Sequence, residues 1–194
     1  TNEFINQMHL WVCIPEDSDF NVDDLPIHIP SDKLTLIKGN DSEGIRIENE
    51  WSTLQILQAF CEQQTENVPV MFLHSKGAMR YQEWPDNKEF VRDWSNMMLY
   101  FLVEKHMDAL HALDRADAVG CNITYWDWWR APSFSGNFWM AWSHYIKRLA
   151  RPSKQDLDNR FRSEYWIGSG DNCKLFPLHV SIGAECHSWH YHNR

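Results

Sequence analysis

Two short polar segments of the chain carry residue types that suit a phosphate or a sugar. The first consists of His74, Ser75, Lys76 and Gly77, and the second of Ser135, Gly136 and Asn137. Lysine is a compact cation that neutralises phosphate, and glycine lets a ligand approach the backbone closely. A side-chain amide offers two donors and an acceptor to sugar hydroxyls. We therefore predict a ligand site built from both segments, with an ordinary polar turn as the alternative at each.

Carboxylates near aromatic residues are candidates for a general base. Glu164 lies in the segment RFRSEYWIG, with Arg160 and Arg162 beside it. Burial strengthens a carboxylate as a base, whereas a close arginine weakens it, and the sequence leaves both outcomes open. Asp127 is the second candidate, because it lies among clustered tryptophans.

Tryptophan is unusually frequent, with 11 among 194 residues, several times the roughly 1–2% of average globular usage. Five of these residues lie close together in the sequence: Trp126, Trp128, Trp129, Trp139 and Trp142. A flat aromatic ring stacks against the C–H face of a sugar, so Trp128 and Trp139 are candidate stacking residues. A position in the core is the alternative for each tryptophan.

Strands and helices must bring these segments together. The apolar run Val68–His74 predicts a buried strand, and open α/β sheets bind ligands at the carboxyl ends of such strands. Helical spacing predicts one helix from Ser52 and one long helix over 86–113, broken at most once. Further strands are predicted at Met8–Ile14, Leu34–Ile37, Ile45–Ile47 and Ala118–Ile123, and FWMAWSHYIKRL is predicted to begin as strand and end as helix. This alternation predicts an α/β fold.

Composition and charge narrow the class of protein. With 43% hydrophobic residues and 23% charged residues, the chain fits one domain over residues 1–194, which can be part of a longer multidomain polypeptide. The net charge of -9 provides no basic field for nucleic acid. Apolar runs are far shorter than the roughly 20 residues of a membrane span. We expect no nucleic-acid partner, no membrane span and a cytoplasmic location.

The cysteines and histidines leave a metal hypothesis open. The five cysteines form no CxxC pair, which favours reduced thiols over disulfides. Near the C-terminus, however, Cys186, His187, His190 and His192 lie close together, and zinc favours such ligands. An exposed histidine-rich tail is the alternative. Dinucleotide, P-loop and serine-hydrolase motifs are absent from the sequence.

Several motifs carry a resemblance to a known family. These are LHSKGA (73–78), DWSNMMLYFL (93–102), VGCN (119–122), FSGNFWMA (134–141) and RSEYWIG (162–168). Together they resemble small glycosyltransferases from bacterial surface-polysaccharide loci and large DNA viruses, including chlorella-virus enzymes that build the capsid glycan. The likeness covers roughly residues 69–168, and the combination of motifs is more specific than any one of them.

The resemblance implies a GT-A-like single domain with a central mixed sheet flanked by helices. It implies a nucleotide-sugar donor, with UDP as the nucleotide, and a glycan or glycoprotein acceptor in capsid or surface-glycan synthesis. A viral member would act in the host cytoplasm. A divalent cation, Mn²⁺, is the implied cofactor, and His179 is the implied C-terminal metal ligand. A positioned base implies inversion at the anomeric carbon, with retention left open.

The sequence departs from the family pattern at one point. His74 and Lys76 occupy the positions where a strand-end DxD motif usually binds the metal. Either Lys76 supplies the positive charge or the metal takes other ligands. Asp17–Asp19 and Asp156–Asp158 match the DxD letters, but both lie in polar loop contexts.

Two other functional classes remain as alternatives. A non-catalytic carbohydrate-binding module would account for the tryptophans, although such modules are mostly β-sandwiches. A zinc-dependent hydrolase would use the C-terminal cysteine and histidine residues. Neither accounts for LHSKGA followed by FSGNFW.

Overall fold

The fold is given by a computed structural model that describes residues 8–19, 30–40, 47, 50–74, 88–125, 131–152 and 161–181. The chain divides into two compact units, Thr1–Phe60 and Cys61–Arg194.

The first unit contains a small parallel sheet and most of one helix. Strand β1 (Leu10–Ile14) pairs with β2 (Leu34–Lys38), with Leu10 opposite Leu34, and helix α1 (Glu50–Gln63) begins in this unit. The ring of Trp11 packs edge-on against Phe60, with 5.1 Å between ring centroids. This aromatic contact joins the sheet to the helix, so both bury apolar surface that neither would bury alone.

The described part of the second unit contains six strands and four α-helices. In chain order these are β3 (Pro69–Phe72), α2 (Lys88–Leu99), a π-helical turn (Tyr100–Glu104), α3 (His106–Leu113), β4 (Ala118–Cys121), β5 (Ile123–Tyr125), β6 (Pro132–Phe134), β7 (Trp139–Trp142), α4 (Ser143–Ile146), α5 (Phe161–Trp166) and β8 (Leu175–His179). Strands β5 and β6 form an antiparallel hairpin of their own.

The central sheet has the strand order β3-β7-β4-β8. Strand β7 is antiparallel to both of its neighbours, whereas β4 and β8 are parallel. The carboxyl ends of β3, β4 and β8 therefore lie at the same edge of the sheet as the amino end of β7. We call this the carboxyl edge.

One face of the sheet packs against α2, the π-helical turn and α3. Successive strand residues point to opposite faces, so Val119 and Cys121 share this face, whereas Ala118 and Gly120 point away from it. The buried cluster on the helical side joins Met98, Leu102, Ala109, Leu113, Val119, Cys121, Phe138 and Met140. This alternation lets the long helical segment bury its apolar stripe against the sheet.

The opposite face is built from aromatic rings. Trp139 stacks on Phe72 with 5.2 Å between centroids, and Trp166 of α5 lies 6.3 Å from Trp139. The ring of Phe134 lies directly over Gly120. Helices thus flank both faces of a mixed sheet, which confirms the predicted α/β class at this level.

The structure refines the predicted elements. The long helix predicted over 86–113 is divided by the π-helical turn, and the strand predicted at Ala118–Ile123 is interrupted at Asn122. Of the strand predicted at Ile45–Ile47, only Ile47 lies within the described residues, and it is in no strand. The strands β6 and β8 and helix α5 were not predicted.

The described cysteines are free thiols: Cys13, Cys61, Cys121 and Cys173. Burial raises the pKa of Cys61 to about 12, and nearby Lys147 opposes that rise only in part. Cys61 is therefore a neutral core side chain at physiological pH.

Within the described residues, no helix is both long enough and apolar enough to cross a membrane.

We predict that Gly120→Ala destabilises the fold by about 1–3 kcal/mol, the usual cost of overpacking. A Cβ atom at this position would lie 2.6 Å from Cγ of Phe134 and 2.8 Å from the carbonyl oxygen of Phe138. Urea denaturation gives the loss. As the matched control, Phe134→Leu should relieve part of the clash, so the double variant should lose less than the two single losses added together. Strict additivity would contradict this packing.

Candidate functional site

The strand-end residue His74 meets the turn Ser135–Asn137 at the carboxyl edge. The Nε2 atom of His74 lies 3.0 Å from the carbonyl oxygen of Gly136. A carbonyl oxygen only accepts hydrogen bonds, so Nε2 carries a proton and donates it. The ring of His74 also stacks on Phe72 and meets Phe138 edge-on, with centroid distances of 6.0 Å and 5.2 Å. The two segments singled out in the sequence are thus joined at this residue.

The turn owes its shape to two residues in the left-handed region. The amide of Asn137 donates to the carbonyl of Phe134 at 3.0 Å, which closes the turn. Gly136 has φ 89° and Asn137 has φ 56°, values that favour glycine and tolerate asparagine. A Cβ atom on Gly136 would lie 2.5 Å from Sδ of Met98 in α2. The conformation therefore favours glycine here, and a larger residue would also have to displace the Met98 side chain.

The side chains of this turn are buried. Asn137 accepts a hydrogen bond at Oδ1 from the indole Nε1 of Trp139 at 2.9 Å, and neither side chain has any exposed surface. Ser135 is also buried, at 4% exposure. In this structure Trp139 is a core residue, as the sequence analysis allowed for each tryptophan. The turn therefore has a well-determined shape, since its polar groups are paired inside the protein.

Asn122 joins the turn to the ends of two strands. Its backbone amide donates to the carbonyl of His179 at 2.8 Å, and its carbonyl accepts from the amide of Ser135 at 2.9 Å. Sequence reasoning placed Asn122 in the VGCN motif but gave it no role. Its residue type was the available signal, since asparagine tolerates the left-handed conformation, but the strand predicted at Ala118–Ile123 runs through it.

His179, the predicted metal ligand, ends strand β8 at the same edge. Its ring stacks on Phe101 of the π-helical turn, with 4.9 Å between centroids and 20° between planes. Across the part of the chain that the structure describes, no three histidine, cysteine, aspartate or glutamate side chains are grouped closely enough to hold a metal ion. The C-terminal cluster from Cys186 to His192 lies outside the described residues.

Glu164, the predicted base, lies on helix α5 and is partly buried. Helix α5 packs against β6, the strand that runs into the turn. Two residues after α5, a Cβ atom on Gly168 would lie 1.8 Å from the carbonyl oxygen of Pro132 in β6. Burial raises the pKa of Tyr165, and the charge of Glu164 adds to that rise. Glu164 therefore lies on a helix that packs against β6, the strand that leads into the turn.

Five other predicted site residues lie outside the described residues: Ser75, Lys76, Gly77, Asp127 and Trp128. Ser75 directly follows His74 in the sequence, and Lys76 comes next. The structure therefore brings together His74 with Gly136 and its neighbours, and leaves the roles of these five residues as predictions.

The second unit has an α/β fold, because helices flank its mixed sheet. Paired polar groups lie at the carboxyl edge of that sheet. The chain belongs to the family described as Domain of unknown function (DUF8361), whose model matches residues 37–158, more than half of the 194 residues. The matched region includes His74, Asn122 and the turn Ser135–Asn137, and it ends before Glu164 and His179. No curated protein and no solved structure matches the chain.

We predict that Asn137→Gly destabilises the protein by about 1–3 kcal/mol, the usual cost of a buried donor left without its partner. Glycine keeps the left-handed conformation but removes the acceptor of the Trp139 indole. The control is Asn172→Gly, because Asn172 has φ 54° and is exposed. Thermal unfolding of both variants gives the difference. Equal losses in the two variants would show that the Asn137–Trp139 bond contributes nothing measurable.

Proposed function

We propose that the protein is a nucleotide-sugar-dependent glycosyltransferase with a GT-A-like fold, acting on a glycan or glycoprotein acceptor. The observation that carries the proposal is the hydrogen bond from His74 to Gly136, with 3.0 Å between Nε2 and the carbonyl oxygen. It joins the two segments whose residue types suit a diphosphate and a sugar. Their meeting point is the edge of the sheet at which α/β proteins bind ligands.

Lys76 is the residue that we assign to the diphosphate of the donor, with UDP as the favoured nucleotide. It lies two residues after His74 in the sequence. Departure of a diphosphate leaves negative charge on the leaving group, and a nearby cation stabilises that charge. Gly77 lets the backbone approach the phosphates. Ser75 adds a hydroxyl donor.

The turn Ser135–Asn137 is assigned to the donor sugar. Asn137 uses its side-chain oxygen on Trp139, and all three residues of the turn are buried, so we assign the turn to the floor of the sugar subsite. Since the ring of Trp139 is fully buried, we assign stacking on the sugar to Trp128 instead.

Glu164 is assigned as the general base, with Asp127 as the second candidate. The acceptor hydroxyl gives its proton to the carboxylate while its oxygen forms a bond to the anomeric carbon. The bond from that carbon to the diphosphate oxygen breaks at the same time, and its electrons leave with the diphosphate. Attack from the face opposite the leaving group inverts the anomeric centre.

In the proposed reaction, the positive charge at the diphosphate comes from Lys76, from a divalent cation or from both. Mn²⁺ would neutralise the same diphosphate oxygens as Lys76. The described residues provide no group of three ligands for it, so we place no step of the reaction on the ion. The α/β architecture also gives no support to a carbohydrate-binding module of the β-sandwich type.

The central test is a thermal-shift panel of nucleoside diphosphates and their sugars, with and without Mn²⁺. We expect UDP and a UDP-sugar to raise the melting temperature, since a ligand that binds only the native state stabilises it. Nucleosides without phosphate are the control. A panel in which no nucleotide stabilises the protein would overturn the proposed function.

We predict that Lys76→Ala weakens binding of the nucleoside diphosphate at least about fivefold, the equivalent of about 1 kcal/mol for a hydrogen bond to a charged group. Titration calorimetry measures the affinity. The control is Lys174→Ala, which removes an exposed lysine just before the amino end of β8. If both variants bind as the unmodified protein does, Lys76 does not contact the diphosphate.

We predict that Glu164→Gln lowers sugar transfer by at least about a hundredfold, within the range for loss of a general base. Donor affinity should stay nearly constant, because the amide keeps the size of the side chain. Glu66→Gln, at an exposed position before β3, is the control. Near-normal turnover of the Glu164 variant would remove this residue from the role and favour Asp127.

A further inference from the structure

We propose that Asn122 is the positioning residue of the candidate site, an inference that rests on the proposed transferase function. Asn122 is 7% exposed and lies between β4 and β5 at the carboxyl edge. It makes hydrogen bonds to two separate segments of the chain. These are the end of β8, together with Ser181 two residues beyond it, and the turn assigned to the donor sugar.

The backbone of Asn122 forms hydrogen bonds directly after the point where the pairing of β4 with β8 becomes irregular. The register between these strands shifts between Gly120 and Cys121. Asn122 then donates its amide to the carbonyl of His179 at 2.8 Å and accepts from the amide of Ser135 at 2.9 Å. Its peptide groups thereby connect β8 to the turn.

The side chain of Asn122 adds a two-point contact to Ser181. Its Oδ1 accepts from the backbone amide of Ser181 at 2.8 Å, and its Nδ2 donates to the Ser181 hydroxyl at 3.2 Å. A backbone amide only donates, so the oxygen of the asparagine must face it. The chain leaving β8 is therefore tied to the end of β4 by side-chain bonds.

Asparagine suits this position on two independent grounds. Its φ of 51° lies in the left-handed region, which is costly for most residues but tolerated by asparagine. Its amide also supplies the acceptor and the donor that Ser181 uses. Glycine would satisfy the conformation alone, and aspartate would bring an uncompensated charge into a buried place.

This arrangement predicts an effect on the rate of transfer rather than on binding of the donor. The side-chain bonds hold the edge in a fixed geometry but need not touch the nucleotide. Small misplacements of reacting groups lower rates strongly, by up to about a hundredfold for about 1 Å. Removing the side-chain hydrogen bonds of Asn122 should therefore lower kcat and leave the donor KM nearly unchanged.

The experiment compares Asn122→Gly with the control Asn172→Gly in the full chain. Both positions are left-handed asparagines, with φ of 51° and 54°, so glycine relieves the same constraint in each. We expect kcat of Asn122→Gly to fall at least about tenfold, with the donor KM within about threefold. Asn172→Gly should match the unmodified protein. Hydrogen exchange at Ser181 should accelerate only in Asn122→Gly.

Ser181→Ala provides a second, milder variant in case Asn122→Gly does not fold. It removes only the bond from Nδ2, so kcat should fall about threefold with the fold intact. If the unmodified protein transfers sugar and both variants match the control, Asn122 is not a positioning residue and the proposed function stands. If the unmodified protein neither binds a nucleotide nor transfers sugar, both proposals fail.

Discussion

The position of β7 between β3 and β4 is the constraint on which the candidate site depends. Because β7 is antiparallel to β3 and Phe72 lies opposite Trp139, the residue two places after Phe72 meets the turn that precedes Trp139. A slip of one residue would turn Trp139 to the other face of the sheet and separate His74 from Gly136. The stacked pair Phe72–Trp139, with 5.2 Å between centroids, favours the observed register, because large aromatic pairs contribute beyond their buried area.

Close backbone packing at the edge follows from the choice of small residues. Gly120 lies beneath Phe134, and Gly136 lies against Met98 and Trp94. Side chains from both faces of the sheet therefore pack next to the same short turn. Such packing leaves little room for alternative turn geometries, since protein interiors are nearly as dense as organic crystals. The edge is thus held by the hydrophobic layers as well as by its hydrogen bonds.

The sequence predicted the parts of this arrangement that depend on local patterns. Strand β3 and the start of β7 were readable from apolar runs, and the FSGN turn from its small residues. The interruption at Asn122 was not, because an extended and a left-handed asparagine have the same local signal. Strand β8 was missed because Pro177 lies within it, and proline argues against a strand except at an edge. Strand β8 is the outermost strand of the four-stranded sheet. Only the tertiary structure shows that position.

The described residues at the carboxyl edge fix the geometry of the candidate site, and their buried side chains carry no charge. The buried polar side chains of this edge are uncharged amides and a hydroxyl: Asn122, Ser135 and Asn137. Such groups satisfy one another at modest cost, whereas a buried charge requires a partner. A rigid uncharged edge can therefore persist without ligand. Under the proposed function, charge comes from residues attached to it: Lys76 follows His74 in the sequence, and Glu164 lies on the helix behind β6. A reaction that separates charge at the diphosphate needs both parts, because a cation stabilises the leaving group only where the edge has fixed the sugar.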